Sequence, residues 1–87
     1  MTDHRQLAVD LFNHTWTLLN NKNRTIEQDE EMVHAAHASR HHWGIAGTAK
    51  HRARGEWQIA RVYAALQRFS SSAHHAQCYM DACKMHA

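Results

Sequence analysis

Ten of the 87 residues are histidine, and three of them stand in one stretch at spacings that suit chemistry. Glu30, His34, His37 and His41 recur every three or four residues, which places them along one side of a helix. A carboxylate followed by imidazoles on successive turns can hold zinc or a similar divalent metal, because neighbouring turns present pairs of donors to one ion. Glu31 and His34 also have the Glu-x-x-His spacing of carboxylate-bridged metal bundles. Those bundles need a second such pair and further glutamates, which the rest of the chain does not offer. Solvated histidines, or histidines that meet a neighbouring chain, are the plainer reading, with a metal site as the alternative.

Four further donors lie near the C-terminus. His74 and Cys78 are four residues apart, and Cys83 and His86 are three apart. On a helix Cys78 and Cys83 point about 140° apart, so one ion cannot collect all four donors from a single chain. Cys83 falls on an apolar stripe and reads as a small core residue. The Cα atoms of two such cysteines lie about 8 Å apart, too far for an unstrained disulfide, so reduced thiols and a cytosolic setting are expected. A nucleophilic cysteine wants an organised base and oxyanion donors. No glycine-rich loop or nucleophile elbow supplies them, and the chain reads as non-enzymatic.

Arg54, Arg61 and Arg68 recur every seven residues and form a basic stripe on a third helix. Such a stripe can follow a phosphate backbone, but a solvated face is the commoner meaning, and the apolar remainder of this helix does not suit an exposed recognition helix. Trp43 and Trp57 lie on apolar faces and read as core. Net charge is +2 overall, yet residues 1–31 carry six acids and three bases while residues 32–87 carry two acids and seven bases. The two ends of the chain thus differ in sign, by a net −3 against +5.

The elements that position these residues are helices. Proline is absent and glycine occurs three times, so little interrupts a helical pattern, and no alternating β-branched run competes with it. Four segments are expected, at about residues 3–20, 26–43, 49–68 and 71–86 of one domain covering 1–87. Thr2 can cap the first. Thr25 with Gln28 forms a capping box for the second, and Glu27, Asp29 and Glu30 suit its positive end. Gly44 is expected to stop that helix in a left-handed conformation. Thr48 can cap the third, and Ser70, Ser71 or Ser72 the fourth. Loops of about five residues make sequence neighbours antiparallel, giving an all-α fold of two stacked helical hairpins. No stretch has the apolar length of a membrane span, and the first residues lack a signal-peptide pattern.

The third and fourth segments resemble a tetratricopeptide-type unit. The residues that carry the likeness are Trp57, Ile59, Ala60, Tyr63 and Leu66, then Phe69 in the turn, then Ala73 and Ala76. With the His34-Ala35-Ala36-His37-Ala38-Ser39 stretch upstream, the chain is similar to a poorly characterised group of bacterial tetratricopeptide-like proteins. The likeness spans about 35 residues, with Gln67 where the turn often has glycine and Ser72 where alanine is preferred. It implies a scaffold for protein contacts. Independently, the fourth segment carries apolar residues around too much of its circumference for one neighbour to cover, with Ala73 and the four residues Ala76, Tyr79, Met80 and Cys83 on one side and Cys78, Ala82 and Met85 elsewhere. A homo-oligomer, most simply a two-fold dimer, is therefore expected, with those four residues at the interface.

Overall fold

The computed structural model describes residues 2–84. Four helices follow one another: α1 (His4–Asn20), α2 (Ile26–Ala46), α3 (Ala49–Ala65) and α4 (Phe69–Lys84), and the described residues contain no strand. Helix α1 packs on α2 and α3 on α4, while α2 and α3 join the two hairpins into a slab 36 × 34 × 15 Å. The all-α fold of two stacked helical hairpins is the architecture expected from the sequence.

The starts of α1 and α2 are set by local side chains. Asp3, one residue beyond Thr2, caps α1 by accepting from the backbone N–H of Gln6. Thr25 and Gln28 form the capping box at α2, each side chain taking up the other's backbone N–H at 3.1 and 2.8 Å. At α3 the side chain of His51 turns back to accept from the N–H of Thr48 at 3.0 Å.

Helix ends depart from expectation. Helix α2 runs past Gly44 to Ala46, and Gly47 follows in extended rather than left-handed backbone. A Cβ on Gly47 would stand 2.7 Å from the Trp43 carbonyl and 2.8 Å from His51, so this glycine is required by close approach of α3 to the end of α2. Helix α3 stops at Ala65, three residues earlier than its apolar pattern suggests. There Gln67 adopts φ 59°, and the bonds Arg68 N–H to Tyr63 O and Gln67 N–H to Ala64 O complete a Schellman motif. Helix α4 begins at once at Phe69. Ser72, expected as a cap, instead donates across the hairpin to the Ala60 carbonyl at 2.8 Å.

The core lies where α1, α2 and α3 meet, built from Leu18, Met32, Ala36, Ile59 and Val62. Leu19, Val33, Tyr63 and Leu66 pack against it from its edges. Helix α3 contributes six buried residues, among them Gly55, whose missing Cβ leaves room for the Arg40 side chain, with Cδ 2.9 Å from where that atom would stand. Helix α4 contributes none. Trp43 is buried, whereas Trp57 remains 39% exposed and leans on Trp16 with ring centroids 5.5 Å apart, so only the first is core.

Candidate functional site

Polar side chains from three helices converge on one side of the second hairpin. Arg40 of α2 donates from Nε to Glu56 Oε1 of α3 at 3.1 Å. The other carboxylate oxygen, Oε2, stands 2.7 Å from Nδ1 of His75 on α4. A carboxylate oxygen accepts, so His75 donates from Nδ1 in this bond and its Nε2 points away from Glu56. His75 stacks on Tyr63 at 5.6 Å between ring centroids and meets His37 edge-on at 5.4 Å. His37 Nε2 and the Tyr63 hydroxyl share a hydrogen bond of 2.8 Å. Burial, then the neighbouring His75, push the His37 imidazole below its ordinary value; the Glu56 carboxylate opposes them, and His34 lowers it a little further.

Cys78 lies one turn beyond His74 and His75, with its Sγ 3.8 Å from His74 Nε2. Partial burial and the carboxylates of Glu56 and Asp81 push its thiol up, with Arg40 opposing. A thiol held protonated is a poor nucleophile, so the geometry gives no support to cysteine catalysis. Cys78 and Asp81 instead line an open cleft with Arg40, Arg52 and Glu56, where acids and bases balance.

The residues singled out from the sequence are distributed differently from the pattern that drew attention to them. Glu30, His34 and His41 of α2 are exposed, while His37 alone turns into the cluster with Tyr63 and His75. Their ligand atoms are not gathered. Among the described residues the group whose ligand atoms all lie within 4.8 Å of one another is His74, His75 and Cys78. Glu31 is turned toward α1, with Oε2 3.3 Å from His14 Nε2. Cys83 is exposed rather than core, both cysteines are free, and Met85 and His86 lie outside the described residues. In the basic stripe, Arg61 lies over the Trp57 ring at 5.6 Å, and Arg68 sits beyond the end of α3, where helical spacing no longer aligns it with Arg54.

Arg54 takes part in a second polar feature, a cavity of about 230 Å³ between α1, α2 and α3 lined by Arg5, Val9, Phe12, Trp43 and His51 as well. The His51 ring stacks on Trp43 at 4.1 Å, and burial, then Arg5 and Arg54, hold its imidazole below the ordinary value. The lining is cationic and aromatic, with no acid.

Sequence reasoning passed over Glu56 and His75, the centre of the first cluster. A signal was present: Glu56 is the one acid between Met32 and Met80, set in a run of arginines. A lone carboxylate in such a run tends to be held by partners. Comparison with protein-family models, with curated proteins and with solved structures yields no match.

Proposed function

We propose that this chain is a small non-enzymatic helical interaction module whose first partner is a second copy of itself. One observation carries the reading: α4 is an outermost helix packed along α3, with α2 reached only at the His75 and His37 rings, and none of its described residues is buried. Phe69 is 67% and Met80 52% exposed, Cys83 is exposed beside them, and Ala76 and Tyr79 are half-covered. Among its Asp, Glu, Lys and Arg residues α4 carries one acid, Asp81, and one base, Lys84, so pairing two copies of it brings no net like charge together. A two-fold arrangement closes such a patch on itself and leaves no open end for growth.

The size of the patch sets the expected strength. Helix α4 is 16 residues, about 24 Å long, so pairing its outer face across two chains falls near or below about 1,200 Å² in total, the small end of specific interfaces. A weak, reversible association that dilution can break is the expectation. The tetratricopeptide-like reading draws on Ala60 and Ala76 as small residues between α3 and α4, with Ser72 a departure that bonds the Ala60 carbonyl, and it suits a scaffold for protein contact in the cytosol, where Cys78 and Cys83 stay reduced.

Light scattering in the presence of a chelator, over a concentration series, tests this reading. The expected result is a shift from twice the 10.1 kDa chain mass to the chain mass on dilution, with Met80→Lys monomeric throughout. A wild-type protein that stays monomeric across the series overturns it.

A further inference from the structure

Helix α4 carries a second feature, on the other side of its packed edge from Met80 and Cys83. At about 100° per residue, Cys78 falls between His74 and His75 in direction and one turn above them, so one helix presents three donors to a common point. Their ligand atoms all lie within 4.8 Å of one another, and the His74 Nε2 to Cys78 Sγ pair is at 3.8 Å. A tetrahedral ion about 2.0–2.3 Å from each ligand wants them about 3.5 Å apart. His74 is exposed, so its ring has room to turn toward such a point.

An independent observation comes from α3. Histidines that bind metal commonly donate their other ring N–H to a carboxylate, which fixes the tautomer and the direction of the free nitrogen. Glu56 does this for His75 at 2.7 Å, and Glu56 is itself fixed by Arg40. The pair spans two helices, and the side chains of His75 and Glu56 are only 17% and 15% exposed, so the arrangement belongs to the packed structure rather than to a mobile surface. We propose that His74, His75 and Cys78 bind one divalent ion of the zinc class, with Glu56 orienting His75 and a fourth position open to water. Thiolate with imidazole is the donor set that borderline-soft ions prefer over magnesium or calcium. The open position is that of a site able to accept a further ligand.

The test uses the full chain, stripped by chelation and titrated with zinc by calorimetry and with cobalt(II) by absorption. One ion per chain is expected, with a thiolate-to-cobalt charge-transfer band. His75→Ala and Cys78→Ser should each weaken zinc binding at least tenfold, and Cys78→Ser should abolish the band. Glu56→Gln should weaken binding about 10- to 100-fold while the band remains, because the ligands stay and only the orienting group is lost. The double variant His34→Ala with His41→Ala should bind as the wild type does. Circular dichroism of each variant separates loss of a ligand from loss of the fold. Zinc affinity unchanged in folded Cys78→Ser, no zinc uptake by the wild type, or loss of binding in the His34 and His41 variant would overturn the proposal.

Discussion

The two hairpins are built on one plan and stabilised to different degrees. In each, a serine of the second helix donates to an alanine carbonyl of the first at 2.8 Å: Ser39 to Ala8 in α1/α2, and Ser72 to Ala60 in α3/α4. The first of these bonds is fully buried and the second is at the edge. Both helices of the first hairpin place residues in the interior, whereas in the second hairpin α3 supplies six and α4 none. Pairing within a hairpin is therefore not what buries a helix here. Helices α2 and α3 have helices packed along two sides, and α1 gains a second contact through Trp16 and Trp57; α4 packs along α3 and reaches α2 only at its edge, where the His75 and His37 rings meet. A helix packed along one side only is left with surface for something else.

The turns differ in the same sense. At the end of α1 the guanidinium of Arg24 donates to the carbonyls of Leu18, Leu19 and Asn21 and pairs with Asp29 at 2.7 Å, so a side chain clamps both helices. The α3/α4 turn depends on backbone alone and puts Gln67 in a left-handed conformation that non-glycine residues adopt at a cost of about 1–2 kcal/mol.

The largest effect should separate interior from edge. Ile59→Ala removes a side chain that is 1% exposed at the meeting of three helices and should cost about 3 kcal/mol, while Met80→Ala on α4 should stay within about 0.5 kcal/mol in the monomer. Urea unfolding at low protein concentration measures both, and a Met80→Ala cost approaching that of Ile59→Ala would break the contrast.

The turns should respond with opposite signs. Arg24→Ala, which strips three carbonyls and Asp29 of their donor, should destabilise by about 1–2 kcal/mol. Gln67→Gly, which relieves the left-handed strain, should stabilise by about 0.5–1 kcal/mol despite the added freedom of the unfolded chain. Equal signs in thermal unfolding would show that the two turns are not held by different means.

The smallest effect is expected from acid. His37 in the structure titrates below its ordinary 6.5, so its neutral form is favoured by folding. The unfolded chain then binds the proton more readily. The associated stability is fully present above about pH 6.5 and is lost as pH falls through the lowered value. His42 and His51 shift the same way, the first through burial and then His4 and His41, the second through burial and then Arg5 and Arg54. A melting temperature that falls between about pH 7.5 and about pH 5, with a shallower fall in His37→Gln, is the expected outcome. An identical slope in the variant would remove His37 from the account.

The sequence by itself determined the number of helices, their antiparallel order and the start of α2. Those features rest on interactions among residues three or four apart, such as the Thr25 and Gln28 box and the apolar periodicities, which any stretch of chain carries with it. Tertiary structure decided the rest. Gly44 did not end α2, because Trp43 is buried and the helix continues to where α3 crosses Gly47 at contact distance. The histidine spacing on α2 was legible as a stripe, yet the direction of the stripe relative to other helices was not, and three of its four members face solvent. Which carboxylate meets which imidazole depended on the crossing of α3 and α4, which brings Glu56 to His75 across 19 residues of sequence. Local periodicity fixes the side of a helix on which a residue stands; only packing against a second helix fixes what that side meets.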